Sequence, residues 1–243
     1  MTYCVGLQLD RGLVFMSDTR TNAGVDNVST YRKMHSWEIP GERSFVLMTA
    51  GNLATTQAVV SLLDERNLAP SERNPTLLTA PSMFQAASLV GDTLRDVISA
   101  QTNGKPKSVT TFNATIILGG QIAGTPPRLY MIYPEGNFIE AETDTPFFQI
   151  GETKYGRPIL VRAYDREMDF ARAVKLLMVS FDSTIRANLS VSTPLDLQVY
   201  EADSMQLGYS RRILDGDPDW RAISDGWSDA LRSAFDSLPD VEL

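Results

Sequence analysis

The chain has 243 residues, 43% of them hydrophobic, and carries a net charge of −8 with no long basic run. That is enough to bury a sizeable core in one large domain, and it argues against nucleic acid or an anionic membrane as partner. A single cysteine and a single histidine exclude an intrachain disulfide, a thiolate zinc site, a multi-histidine metal site and an HExxH hydrolase.

In chain order, Thr2–Leu9 alternates as a strand, Asp10-Arg11-Gly12 turns, and Leu13–Ser17 returns as a short apolar run. A polar loop holds Asn22-Ala23-Gly24. Arg32–Ile39 and Ser44–Thr49 then read as a second strand pair about a Pro40-Gly41 turn. Asn52 caps a helix to about Leu68, Pro70 and Pro75 break the chain, and Pro81 at a first-turn position opens a second helix. The apolar face of that helix is Phe84, Ala87, Leu89, Val90, Leu94, Val97 and Ile98.

Strands are expected again at Phe112–Gly119, Arg128–Tyr133, Asn137–Glu140 and Phe147–Ile150, with Gly119-Gly120, Pro126-Pro127 and Pro134-Glu135-Gly136 in the loops. Helices follow over about Lys154–Tyr164 and Asp169–Asn188, then a strand at Leu195–Tyr200. A last helix spans Asp217–Leu238, with Trp220, Ile223, Trp227, Ala230, Leu231 and Phe235 spaced by three and four as core or subunit contact. No repeat or linker divides the chain, so residues 1–243 read as one domain. Helix pairs with apolar stripes and sheets needing cover on two faces are both satisfied by an α/β (α+β) four-layer αββα sandwich. No stretch approaches the length of a membrane span and no basic-then-apolar leader opens the chain, so the expected compartment is cytoplasmic.

No GxSxG elbow or glycine-rich phosphate loop is present, so the chemistry left to this chain is that of hydroxyl, amine and carboxylate, with no metal or organic cofactor. Thr2 follows the initiator methionine, and a small second residue permits removal of Met1. Its α-amine would then titrate near about 7.7–8.0, a usable general base beside its own hydroxyl. Asp18 closes the second strand, Lys33 stands early in the third, and Ala50-Gly51 ends the fourth, so a meander starting at residue 2 lets these ends converge on it. A lysine beside a hydroxyl favours its deprotonated form, a carboxylate holds the lysine, and a glycine N–H can meet a developing oxyanion. Taken singly, each has a plainer reading: Asp18 as a turn former, Lys33 reaching to solvent, Ala-Gly as a bend. Cys4 reads as a small buried hydrophobe, and His35 as a packing or interface residue.

Together, Thr2-Tyr3-Cys4-Val5-Gly6, Ser17-Asp18-Thr19-Arg20-Thr21-Asn22-Ala23-Gly24, Tyr31-Arg32-Lys33-Met34 and Thr49-Ala50-Gly51-Asn52 resemble the proteasome-type N-terminal nucleophile hydrolases. Within them the chain is most similar to the bacterial ancestral β-subunit (Anbu) branch, over most of its length. The resemblance implies Thr2 as nucleophile with its freed amine as proton acceptor, and Asp18 and Lys33 as the charge pair tuning it. It further implies Arg20 as a buried support, the Gly51 amide as oxyanion donor, and Thr21 and Thr49 lining a substrate groove with Leu53 nearby. It also implies a homo-oligomer, ring-like or open and helical, acting on a peptide or amide substrate. Two positions depart from the family pattern. Glu152 stands where a serine is common after Gly151, and Asn188 aligns with a helix-end aspartate, with Ser190 or Ser192 replacing the accompanying serine. The expected activity is a threonine-type peptidase or amidohydrolase. The rival readings are an assembly subunit with little turnover and an amidase on a non-protein amide.

Overall fold

A computed structural model describes residues 2–22, 28–68, 75–102 and 112–242. The strands are β1 (Tyr3–Leu9), β2 (Gly12–Asp18), β3 (Arg20–Asn22), β4 (Val28–Thr30), β5 (Met34–Ile39), β6 (Arg43–Gly51), β7 (Ala114–Ile122), β8 (Arg128–Ile132), β9 (Phe138–Glu140), β10 (Phe147–Gly151), β11 (Leu195–Glu201) and β12 (Ser210–Ile213). The helices are α1 (Leu53–Leu68), α2 (Met83–Thr102), α3 (Arg157–Ala163), α4 (Phe170–Ala187) and α5 (Pro218–Asp236).

Two five-stranded antiparallel sheets, ordered β10-β1-β2-β11-β12 and β5-β6-β7-β8-β9, pack on each other. The two-residue period of a strand explains how one segment serves two layers. Along β1, Tyr3, Val5 and Leu7 join Leu160, Leu177, Phe181 and Trp220 beneath α3, α4 and α5. Cys4 points the other way, to an inter-sheet core with Phe15, Met48 and Ile117. On the far side, Phe45, Leu47, Ile116 and Leu118 meet Val59, Leu63, Val90 and Leu94 of α1 and α2. The expected αββα sandwich is the observed one.

Several local expectations are corrected. Gly119 and Gly120 lie inside β7 rather than in a loop, because a Cβ at Gly119 would sit 2.6 Å from Phe15 Cζ. The bare backbone there makes room for the Phe15 ring between the sheets. Pro81 stands outside α2, whose first turn is capped instead by Ser82 Oγ accepting from the Gln85 N–H. Phe84, placed on the buried face by spacing, is 61% exposed and stacks edge-on against Phe138. Lys33 lies just ahead of β5 rather than within a strand, because the short β3–β4 ribbon intervenes after β2. That ribbon and β12 are too short to carry an alternating signal. Ala23, Gly24 and Pro70 lie outside the described residues.

The caps of the later helices follow the sequence closely. Asp169 accepts from the Arg172 N–H and Asp217 from the Asp219 and Trp220 N–H groups, with Pro218 in the first turn of α5. The α5 stripe splits in two: Trp220 is buried and Ile223 and Trp227 are half-buried, whereas Ala230, Leu231 and Phe235 are exposed. No helix among the described residues is long and apolar enough to cross a membrane.

Candidate active site

Thr2 immediately precedes β1 and is held from both sides by its neighbours' backbones. The Tyr3 N–H that follows it donates to Asp18 Oδ1 (2.9 Å), and the Thr2 carbonyl accepts from the Glu152 N–H (2.7 Å). The second bond extends the β1–β10 pairing, in which Tyr3 faces Gly151, by one residue. Gly151 has φ +85, and a Cβ there would lie 1.9 Å from the Thr2 carbonyl oxygen. Only glycine supplies both that backbone and that approach.

Asp18, at the end of β2, is fully buried, and Lys33 is 4% exposed. Lys33 Nζ donates to Asp18 Oδ1 (2.9 Å) and to the Arg20 carbonyl (2.5 Å). The backbone around this lysine is fixed as well: the Thr49 N–H donates to the Lys33 carbonyl (2.9 Å) and the Tyr31 N–H to the Thr19 carbonyl (2.8 Å). Burial raises the Asp18 carboxyl above its ordinary range, and Lys33 and the Tyr3 amide offset only part of that rise. A paired, buried ammonium is therefore held at the floor of the site, and it favours the anionic form of any hydroxyl brought against it.

Above this floor opens a cleft of about 490 Å³ lined by Thr2, Thr21, Lys33, Thr49, Gly51 and Leu53. Four of these were expected to do the chemistry or line a groove beside it, or both, from the first fifty residues alone, with Gly51 and Leu53 following at the β6–α1 junction. Ala50, expected beside Gly51 at the converging strand end, completes the lining together with Arg32, Asn52, Thr56 and Gly151, to which the sequence assigned no role in a cleft. Asn52 has a signal in its capping role: its Oδ1 accepts from the Thr55 N–H (3.1 Å), which aims the start of α1 at the cleft. Arg20 is half-buried rather than buried, and its backbone carbonyl, not its guanidinium, is what meets Lys33.

Asn188 and Ser190 are not among the cleft residues. Asn188 is the C-cap of α4; its Nδ2 donates to Glu152 Oε2 (3.0 Å) and its Oδ1 accepts from the Ser190 N–H (2.9 Å). The two positions that depart from the family pattern are thus partners of each other. A further support missed from sequence lies under β1. The Tyr3 hydroxyl, buried and pushed up to about 12 by desolvation, bonds Ser180 Oγ (2.7 Å) and Gln149 Nε2 (2.6 Å). Its only forewarning is a tyrosine placed on an otherwise apolar strand face. Cys4 is fully buried with its thiol raised by desolvation, and its Sγ lies 3.7 Å from the Thr49 carbonyl, the environment of an inert thiol. Among the described residues no group of three or more His, Cys, Asp or Glu side chains could hold a metal ion.

Comparison with known proteins points to one family. The proteasome subunit family matches residues 2–197. Among solved structures, Anbu from Yersinia bercovieri is 47% identical with a TM-score of 0.92, covering 99% of this chain and 100% of that one. Anbu from Hyphomicrobium sp. strain MC1 is 51% identical with a TM-score of 0.91, covering 99% and 100%. The helical assembly of the Anbu complex from Pseudomonas aeruginosa is 46% identical with a TM-score of 0.91, covering 99% and 98%. No curated protein matches. A family match over most of the chain and near-complete overlap with three relatives lead to one assignment: this chain belongs to the proteasome subunit family, in its ancestral β-subunit (Anbu) branch.

Proposed function

We propose that this chain is a threonine-type N-terminal nucleophile hydrolase acting on amide bonds. Once Met1 is removed, the Thr2 hydroxyl attacks the substrate carbonyl while the Thr2 α-amine takes its proton. The tetrahedral intermediate's oxygen is met by the Gly51 N–H. Its collapse passes the proton to the departing amine and leaves an acyl ester on Thr2, which water then hydrolyses with the α-amine again as base. Lys33, fixed by Asp18 and the Arg20 carbonyl, lowers the cost of the alkoxide. Thr21, Thr49 and Leu53 receive the substrate chain.

The observation that carries this reading is the buried Lys33–Asp18 pair at the floor of a cleft whose wall includes Thr2. A buried ion pair stabilises a fold poorly compared with apolar packing, so its position beside a hydroxyl-bearing N-terminal residue favours a chemical role. The test is labelling with a threonine-directed electrophile such as a peptide epoxyketone or β-lactone. Wild type is expected to take up one label on Thr2 and Thr2→Ala none; equal labelling of both would remove Thr2 as the reacting group.

The same reading includes assembly with copies of the chain, open and helical as in the Pseudomonas aeruginosa structure. Its support in this molecule is the unpartnered end of α5 and the residues after it, where Leu231, Phe235, Leu238 and Val241 are half or more exposed. An apolar groove of about 460 Å³ between α4 and α5, lined in part by Leu176, Val179 and Trp227, adjoins them. Such surface on one face is characteristic of protein–protein contact. Size-exclusion chromatography with light scattering is expected to find an oligomer in wild type and smaller species for Phe235→Ser; a monomer in wild type would oppose it.

A further inference from the structure

The chain carries 30 acidic residues against 22 basic ones, yet none of the described residues lining the Thr2 cleft is acidic. Two of them are cationic, Arg32 and Lys33. The Lys33 charge is matched by Asp18 at 2.9 Å. Arg32 is exposed, and its guanidinium has no hydrogen-bond or ion-pair partner among the described residues. The first turn of α1, which brings Leu53 and Thr56 to the cleft, holds no acidic residue either.

The carboxylates nearby are committed or out of reach. Asp18 is fully buried, and Glu152 is 9% exposed and accepts from Asn188 Nδ2. Arg32 also lines a second, smaller pocket of about 160 Å³ beside Asp196, Arg211 and Arg212. There Arg211 bonds Asp217 and Asp219, and Arg212 grips both oxygens of Asp196 (2.7 and 2.9 Å). Arg32 thus stands between the cleft and a pocket whose anion is already taken. Its backbone is pinned on both sides, by the Tyr31 N–H on the Thr19 carbonyl (2.8 Å) and the Thr49 N–H on the Lys33 carbonyl (2.9 Å). The planar guanidinium rides on a flexible stem from that fixed base, and its fork of donors matches a carboxylate.

We infer that Arg32 is a specificity-determining residue of the cleft, pairing with a carboxylate on the substrate, so that the favoured substrates are acidic peptides. This inference rests on the threonine-nucleophile reading and names the substrate class of the same site. A glutamate or aspartate side chain supplies the anion this wall lacks, and a basic one meets repulsion. The net charge of −8 does not attract an acidic chain from a distance. The preference therefore arises on contact, within the roughly 8–10 Å over which charges act at ordinary salt.

The test is a set of peptide epoxyketones in pairs, each pair differing only in Glu against Gln at the first, second or third residue from the epoxide. Rates of Thr2 labelling are read by mass spectrometry in wild type, Arg32→Gln and Arg32→Glu, each confirmed as folded by thermal melting. Wild type is expected to react about fivefold faster with the Glu member at one or more positions, the upper end for a solvent-accessible ion pair. That ratio should shrink in about 1 M salt. In Arg32→Gln it falls to about one, and in Arg32→Glu the Gln member reacts faster. A merely structural role for Arg32 slows both members alike and keeps their ratio. That result, or a wild-type ratio of one at every position, overturns the assignment while Thr2 labelling stands. Failure of every probe to label wild type overturns the threonine-nucleophile reading and this inference with it.

Discussion

The two flanks of Thr2 are built differently. On one side Asp18 and Lys33 form a direct buried ion pair, contributed by the end of β2 and the segment before β5. On the other, Glu152 is held through neutral amides from Asn188 and Lys154, at the end of β10 and the C-cap of α4. The first flank concentrates charge in a place where losing one partner strands the other. The second spreads its hydrogen bonds over two neutral donors, so losing one leaves the other in place. The lesson is that one flank of Thr2 rests on a buried ion pair and the other on a wall of neutral hydrogen-bond donors.

The largest expected effect breaks the first flank. Lys33→Ala leaves Asp18 as a buried, unpaired carboxylate and is expected to cost about 3–5 kcal/mol of stability by urea denaturation, together with loss of Thr2 labelling. Gly151→Ala strikes where the flanks meet. A left-handed backbone with a side chain costs about 1–2 kcal/mol on its own, and the added Cβ must also displace the Thr2 carbonyl, so labelling slows even where the protein folds. Asn188→Ala removes a single donor from Glu152 and is expected to cost about 1–2 kcal/mol. A cost for Asn188→Ala equal to that for Lys33→Ala would erase the contrast between the flanks.

Two pH effects are smaller. Because burial raises the Asp18 carboxyl, acidification is expected to protonate it early and end labelling of Thr2 on the acid limb, as the counter-charge of Lys33 is lost. Its linkage to stability has the opposite sign. A native carboxyl that holds its proton more tightly than the unfolded one favours the fold below about pH 3.9, and that contribution is lost as pH rises through the native value. His35, the one histidine, has its pKa lowered by burial and then by Arg32. It therefore favours the fold above about pH 6.5, and this contribution is lost as pH falls through its native value. Comparing the pH dependence of stability in wild type and His35→Gln checks it, and an unchanged profile would count against a neutral native His35.

Much of the first flank was legible in the sequence because strand ends converge by topology. Thr2 and Asp18 stand at strand ends of one sheet and Gly51 at a strand end of the facing sheet, so the ends converge across the sandwich rather than within the single meander expected, and alternation reveals strands of this length. Lys33 converges too, but through a coil segment fixed by Thr49, since the β3–β4 ribbon is three residues a side and leaves no periodic trace. The second flank depends on contacts between residues 36 positions apart, Glu152 and Asn188, which no local pattern encodes. Phe84 failed for a different reason: helical spacing identifies a face, but here Phe138 offers a ring at the surface, and the side chain stays largely exposed.

The central claim is that Thr2, freed of Met1, is the reacting group. It is tested most directly by the intact mass of the native protein before and after incubation with a threonine-directed electrophile. The account predicts a chain lighter by one methionine that gains a single adduct, mapped to Thr2. A chain that keeps Met1, or an adduct that persists in Thr2→Ala, would contradict it.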